Sequence, residues 1–218
     1  MANTNDLICI TVSTKYDDIL KICLPQNIKF FKKWYIITDP TDLVTIQLVR
    51  AANNPVLDLL FFNFYEGGAK FNKGGAIRMA QLYVNAIHPN SNILLLDSDI
   101  FLPDNFGTIM DNTSIEDDTL YGVTSRTDYY FLKNFLMEKP SKIYNLTDEF
   151  VGFFQLYSNT NSKYLYNNSS NCSICDNEFV KLFAHDKCIN IADLHVKHLG
   201  RPEVNWNSRR NKHDFTLL

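Results

Sequence analysis

The chain has 218 residues, 45% of them hydrophobic and 21% charged, with a formal net charge of -3. That length suits one domain with a substantial core, and the slightly acidic balance excludes the basic field with which proteins grip nucleic-acid phosphates. Every apolar run falls short of the ~18 residues a membrane span needs, and the opening "MANTNDLICITVST" lacks the basic and long apolar regions of a secretory leader. A soluble, intracellular, cytoplasmic protein is the expectation.

Leu7–Thr14 (LICITVST) is short, apolar and β-branched, and reads as a buried strand. The next run spaces Ile19, Leu20, Cys23 and Leu24 helically and should end near Pro25. Lys33–Pro40 reads as a second strand stopped by Asp39-Pro40, "TDLVTIQLVRAA" as a helix, and Val56–Tyr65 as a third strand. Glycines 67 and 68 mark a loop. From about Lys73, the spacing of Ile77, Ala80, Gln81 and Val84 predicts an amphipathic helix. "NILLLDSDIFL" reads as one fourth strand carrying two acids. Alternating strands and helices predict a single α/β domain with a Rossmann-like, mostly parallel central sheet flanked by helices. Residues 1–102 would form its nucleotide-binding half and 103–218 a second half. There, "TLYGVTSRTDYYF" is read as a strand and aromatic loop, "EFVGFFQLYS" as a strand, "DNEFVKLFA" as a short helix, and "CINIADLHVKHLG" as a terminal strand.

The five cysteines fit reduced thiols of an intracellular protein. A zinc site can be drawn from Cys172, Cys175, His185 and Cys188, which have the right ligand types.

The chemistry concentrates at Asp97-Ser98-Asp99. On an extended chain, residues i and i+2 share a side, so both carboxylates would face one way with Ser98 opposite. Ligands of parallel α/β sheets sit at the carboxyl ends of the strands. Two hard oxygens there suit a divalent cation that removes their repulsion and neutralises a departing pyrophosphate.

"ILLLDSDIFLP" resembles the DxD motif of glycosyltransferases with the GT-A fold. Further segments agree in order. "FNKGGAIRMA" is similar to the segment that approaches the nucleotide. "FVGFFQLYS" is similar to the strand beside the donor sugar, and "CDNEFVKLF" to the acidic acceptor-side segment. "HLGRPEVNWNSR" resembles the C-terminal signature that closes over the diphosphate. The compact, Asn- and Lys-rich chain is also similar to glycosyltransferases encoded by large DNA viruses, which would place it in host cytoplasm.

The resemblance implies a metal-dependent transfer of a sugar from a nucleoside-diphosphate donor, UDP-linked, to an acceptor hydroxyl on a glycan or glycoconjugate. Asp97, Asp99 and His198 would be the metal ligands, with Asp97 also near the ribose. The mixed carboxylate and imidazole set fits Mn²⁺, or Mg²⁺, better than Ca²⁺. Thr11, Val12, Ser13 and Tyr16 would hold the base, and Asp39 the base or ribose. Lys73, Arg78 and Arg209 (or Lys212) would reach phosphate oxygens, and a fixed cation there stabilises the leaving group. Ser98 and Gly200 flank the diphosphate site. Asp176 and Glu178 are the candidate general bases, ahead of Asp148 and Glu149. Tyr129, Tyr130 and Trp206 offer aromatic faces to a sugar.

Two other readings compete. A haloacid-dehalogenase-like phosphatase also ends an apolar strand in Asp-x-Asp, but there Thr or Val follows near the N-terminus, whereas Ile100-Phe101 follow here. A non-catalytic sugar-nucleotide or glycan-binding module would hold nucleotide without releasing it from a sugar.

Overall fold

The computed structural model describes residues 6–150, 152–160, 163–168, 172, 174–201 and 215. Among these residues, nine strands form one sheet. They are β1 (Leu7–Val12), β2 (Lys33–Thr38), β3 (Leu57–Phe61), β4 (Asn92–Leu96), β5 (Ile100–Phe101), β6 (Leu120–Tyr129), β7 (Lys142–Asn145), β8 (Phe154–Ser158) and β9 (Cys188–Leu199). The order is β3-β2-β1-β4-β8-β6-β9-β5, with β7 added on β6. The first four strands pair in parallel. Beyond β4, β8 is antiparallel to both β4 and β6, while β6 and β9 are again parallel.

Continuous apolar runs in the parallel strands are explained by burial on both faces. Leu7, Cys9, Trp34, Ile36, Leu94 and Leu96 pack on one side. Their chain neighbours Ile8, Ile10, Tyr35, Ile37, Ile93 and Leu95 pack on the other. Helices α1 (Asp17–Asn27), α2 (Leu43–Ala51) and α4 (Phe106–Asp111) cover the first face through Leu20, Leu24, Val49, Phe106 and Met110. The second is covered by α3 (Lys73–Ile87) and α6 (Cys175–Val180), through Ile77, Ala80, Val84 and Phe179. A short α5 (Leu132–Leu136) follows β6. Among the described residues, no helix is long and apolar enough to cross a membrane.

Helix α1 ends near Pro25 as expected, at Asn27. A proline in the last turn forfeits one backbone bond, and side-chain anchoring outweighs it: the Asn27 amide donates to the Ile100 carbonyl at 2.8 Å and accepts from the Leu102 N–H at 3.0 Å. Two sequence expectations change. The third strand ends at Phe61 rather than Tyr65. Phe64 leaves the strand to sit fully buried, stacked on Phe71 with centroids 4.9 Å apart. The fourth strand is not continuous: the chain turns at Asp97-Ser98-Asp99, with the Ile100 N–H donating to the Asp97 carbonyl at 3.2 Å. It then joins a different neighbour, since β4 pairs with β8 and β5 with β9.

Candidate active site

The break at the acidic motif decides its chemistry. The Asp97 N–H is held by the Phe153 carbonyl at 3.0 Å, and the Asp99 carbonyl accepts from the Leu199 N–H at 2.9 Å. The two aspartates therefore do not share one face of an extended strand. Asp97 meets the Lys73 ammonium at 3.0 Å. Asp99, nearly buried, meets His198 Nε2 at 3.4 Å.

Lys73 opens α3 just after its cap, Asn72, whose side chain accepts from the Gly75 N–H. The ammonium is buried and spans two elements, reaching Asp97 on one side and Asp176 of α6 on the other at 3.3 Å. Burial opposes its charge, but Asp176 and Asp97 outweigh that and raise its pKa well above the usual lysine value. Burial also pushes the Asp97 carboxyl up, against the pull of Lys73 and helped by repulsion from Asp99 and Asp176.

Asp176 is fixed from several directions. The Tyr166 hydroxyl donates to it at 3.1 Å and also to Gln155. The Cys175 sulfur lies 3.6 Å from the same carboxylate. Gly152 lies so close that a Cβ built there would sit 1.9 Å from Asp176 Cγ.

His198 stands at the end of β9, between two acids. Its Nδ1 is 3.2 Å from Asp128, a β6 carboxylate with no exposed surface that takes a 2.8 Å bond from Arg126 Nε. Burial lowers the imidazole's affinity for a proton, but Asp99 and Asp128 prevail and raise its pKa to about 9. Gly200 follows at φ +107°, a conformation that favours glycine, with its N–H on the Tyr129 carbonyl at 2.9 Å.

The base-side candidates cluster at the ends of β1 and β2. Thr11 belongs to the core, since its hydroxyl accepts from the Trp34 indole at 2.8 Å. Val12 is partly buried beside it. Ser13, Thr14 and Thr38 bring buried hydroxyls that lack a hydrogen-bond partner among the described residues, an uncommon state for buried polar groups. Tyr16 is buried and caps α1 with its carbonyl. Asp39 is a turn residue, accepting from the Thr41 N–H and hydroxyl at 2.9 and 2.6 Å.

Not every candidate reaches the centre. Glu178 points to the surface, where it pairs with Lys181 at 2.6 Å. Arg78 donates to the Tyr166 carbonyl at 3.2 Å and so braces the wall behind Asp176. Asp148 and Glu149 lie in the exposed turn before residue 151. Tyr129 is buried against Phe135, and Tyr130 stands at the end of β6. Ser98 is buried within the acidic turn. Arg209, Lys212 and Trp206 lie outside the described residues. Among the described residues Cys172, Cys175, His185 and Cys188 do not form a metal-ligand group; Cys175 meets the Cys172 carbonyl, and Cys188 the Ala184 carbonyl.

Sequence reasoning missed Asp128, Arg126, Tyr166, Gln155 and Gly152. Arg126 and Asp128 carried a signal, because an Arg-x-Asp pair on a strand shares one side. Tyr166, from an Asn-rich loop, carried none.

Four carboxylates (Asp97, Asp99, Asp128, Asp176) thus face three basic groups (Lys73, Arg126, His198). Carboxylate and imidazole donors fit a divalent cation by donor type, with the imidazole ligating in its neutral form. The cluster is no finished cage: among the described residues, no three His, Cys, Asp or Glu side chains form a ready ligand group.

This is a mixed α/β fold with a Rossmann-like sheet, carrying its polar cluster at the carboxyl ends of the first-half strands. Searches against family models and curated proteins find no match. Among solved structures, the inositol-1-phosphate CTP transferase from T. maritima is similar at a TM-score of 0.52 and 8% identity, over 90% of each chain. A 4-diphosphocytidyl-2C-methyl-D-erythritol synthase scores 0.49 at 11% identity, over 91% of this chain and 94% of that one. At 8% identity, what this chain shares with the first of these is the fold.

Proposed function

We propose that this chain is a metal-dependent glycosyltransferase, moving a sugar from a nucleoside-diphosphate donor, UDP-linked, to a hydroxyl of a glycan or glycoconjugate. The observation that carries the reading is the convergence of Lys73, Asp97 and Asp176 beside Asp99 and His198. It lies where open α/β sheets bind ligands.

In this reading Asp97, Asp99 and His198 would hold Mn²⁺ or Mg²⁺, whose positive charge would offset that of a departing diphosphate. Ser13, Thr14 and Thr38 supply hydroxyls toward the base. Lys73 places its ammonium toward the leaving group, where a fixed charge needs no reorganisation during reaction. Asp176 takes the proton of the acceptor hydroxyl. Its hold by Tyr166 and Lys73 fixes it for that task, and Glu178 is set aside.

The likeness to a CTP transferase over 90% of each chain favours a second reading, nucleotidyl transfer to a sugar phosphate. The two differ in product. Titration of UDP by calorimetry, with and without Mn²⁺, is the first test, on wild type and Asp99→Asn. Sugar transfer predicts binding that needs both Mn²⁺ and Asp99, and UDP release from a UDP-sugar. Pyrophosphate release from a nucleoside triphosphate and a sugar 1-phosphate would instead establish the second reading. Metal-independent UDP binding with neither product would leave a binding module.

A further inference from the structure

His198 touches two carboxylates that differ in their access to a ligand. Asp99 belongs to the acidic turn at the centre of the site. Asp128 has no exposed surface, so it reaches no substrate. Its neighbours are side chains of the protein: Arg126 Nε at 2.8 Å on Oδ1, Arg126 Nη2 at 3.4 Å on Oδ2, and His198 Nδ1 at 3.2 Å. Arg126 is itself held, with its guanidinium 4.8 Å from the Tyr144 ring centre and 5.0 Å from that of Phe153.

A buried carboxylate is costly unless paired, and Arg126 alone would pair it. The additional contact to His198 comes from register, because Asp128 stands opposite His198 in the β6–β9 ladder. Beyond β9, His198 pairs with Ile100 in β5, the strand that leaves Asp99. The imidazole is thus fixed between a closed acid behind and the acidic turn in front. A histidine offers a lone pair at one nitrogen only when the other keeps its proton, and an outer carboxylate commonly decides which.

We propose that Asp128, clamped by Arg126, is the positioning residue of this site: it keeps a proton on His198 Nδ1 and fixes the ring so that Nε2, beside Asp99, faces a divalent cation. The inference rests on the metal-dependent reading above. Asp128 acts through His198 and takes no part in bond making.

The test is a Mn²⁺ titration followed by the paramagnetic resonance of the free ion, without substrate. Wild type, Asp128→Asn, His198→Ala and the double variant are compared. Loss of such an outer partner costs roughly 10- to 100-fold in metal affinity. Asp128→Asn should show that loss in the wild-type background and none when His198 is already alanine, because coupled residues fail to add. Asp128→Glu should restore part of the affinity. Nitrogen-15 spectra should show His198 protonated at Nδ1 in the Mg²⁺-loaded wild type, and a changed tautomer balance in Asp128→Asn. If Asp128→Asn does not fold, Arg126→Lys takes its place with a smaller loss of the same kind.

Unchanged Mn²⁺ affinity in the folded variant, or an equal loss without His198, would overturn the proposal while leaving the metal site standing. Absence of Mn²⁺ binding by wild type would overturn the metal reading, and the proposal with it.

Discussion

The two parts of the sheet follow different rules. Strands β1–β4 pair in parallel, with apolar residues on both faces. Strands β5–β9 mix directions and carry polar groups inward: Asp128, Gln155 and His198 are all nearly or fully buried. The first part is a platform that ends in the acidic turn. The second part brings His198 to Asp99 and, through α6, Asp176 to the Lys73 ammonium that also holds Asp97. A platform should respond to damage through stability, and a partner array through chemistry.

Leu94 offers the strongest break of the platform. It is fully buried in β4, between β1 and β8. Leu94→Ala should cost about 2–5 kcal/mol, the usual range for a buried leucine truncation. The midpoint of urea unfolding reads that loss, while UDP affinity of the folded fraction should hold. A comparable fall in affinity without loss of stability would show that the division between platform and partner array is false.

Gly152→Ala makes the opposite test. Its Cβ would lie 1.9 Å from Asp176 Cγ and 2.1 Å from Oδ2. Asp176 Cβ also lies only 2.4 Å away, and no side-chain rotation moves it, so α6 itself must shift and carry the carboxylate off Lys73. General-base catalysis contributes about 10²–10⁴-fold, so turnover of a UDP-sugar should fall about 10-fold or more. Mn²⁺-dependent UDP binding of the folded fraction should change little, while the forced shift of α6 lowers the thermal midpoint as well. If turnover persists, Asp176 is not the base.

The same division explains what was legible in the sequence. The platform was readable because parallel strands buried on both faces leave unbroken apolar runs, and α3 announced itself at Lys73 through its apolar spacing. The partner array was less readable, because its contacts join residues far apart in the chain. Lys73 to Asp176 spans 103 positions, and Asp99 meets His198, 99 positions further on. Asp97 and Asp99 were identified as candidates, but an unbroken strand gave them one face. The actual turn gives one to Lys73 and the other to His198, and only the change of neighbour from β8 to β9 explains it.

The smallest effect tests the platform's outer edge. His88, at the end of α3, sits 3.0 Å from the Tyr35 hydroxyl. Partial burial lowers its pKa below the ordinary 6.5, and Lys32 and Lys33 add repulsion to the protonated ring. A base with a depressed folded pKa favours folding in its neutral form. Its contribution is complete above about 6.5 and disappears as pH falls through the lower folded value, where the imidazole must charge and lose Tyr35 as a donor. Stability should therefore decline slightly more between pH 7 and pH 5 in wild type than in His88→Gln, whose amide does not titrate. Parallel urea midpoints at the two pH values measure the difference. Equal declines would mean that the Tyr35 contact survives protonation, and that this end of α3 is held by Val84 and the Asn159 bond to the His88 carbonyl instead.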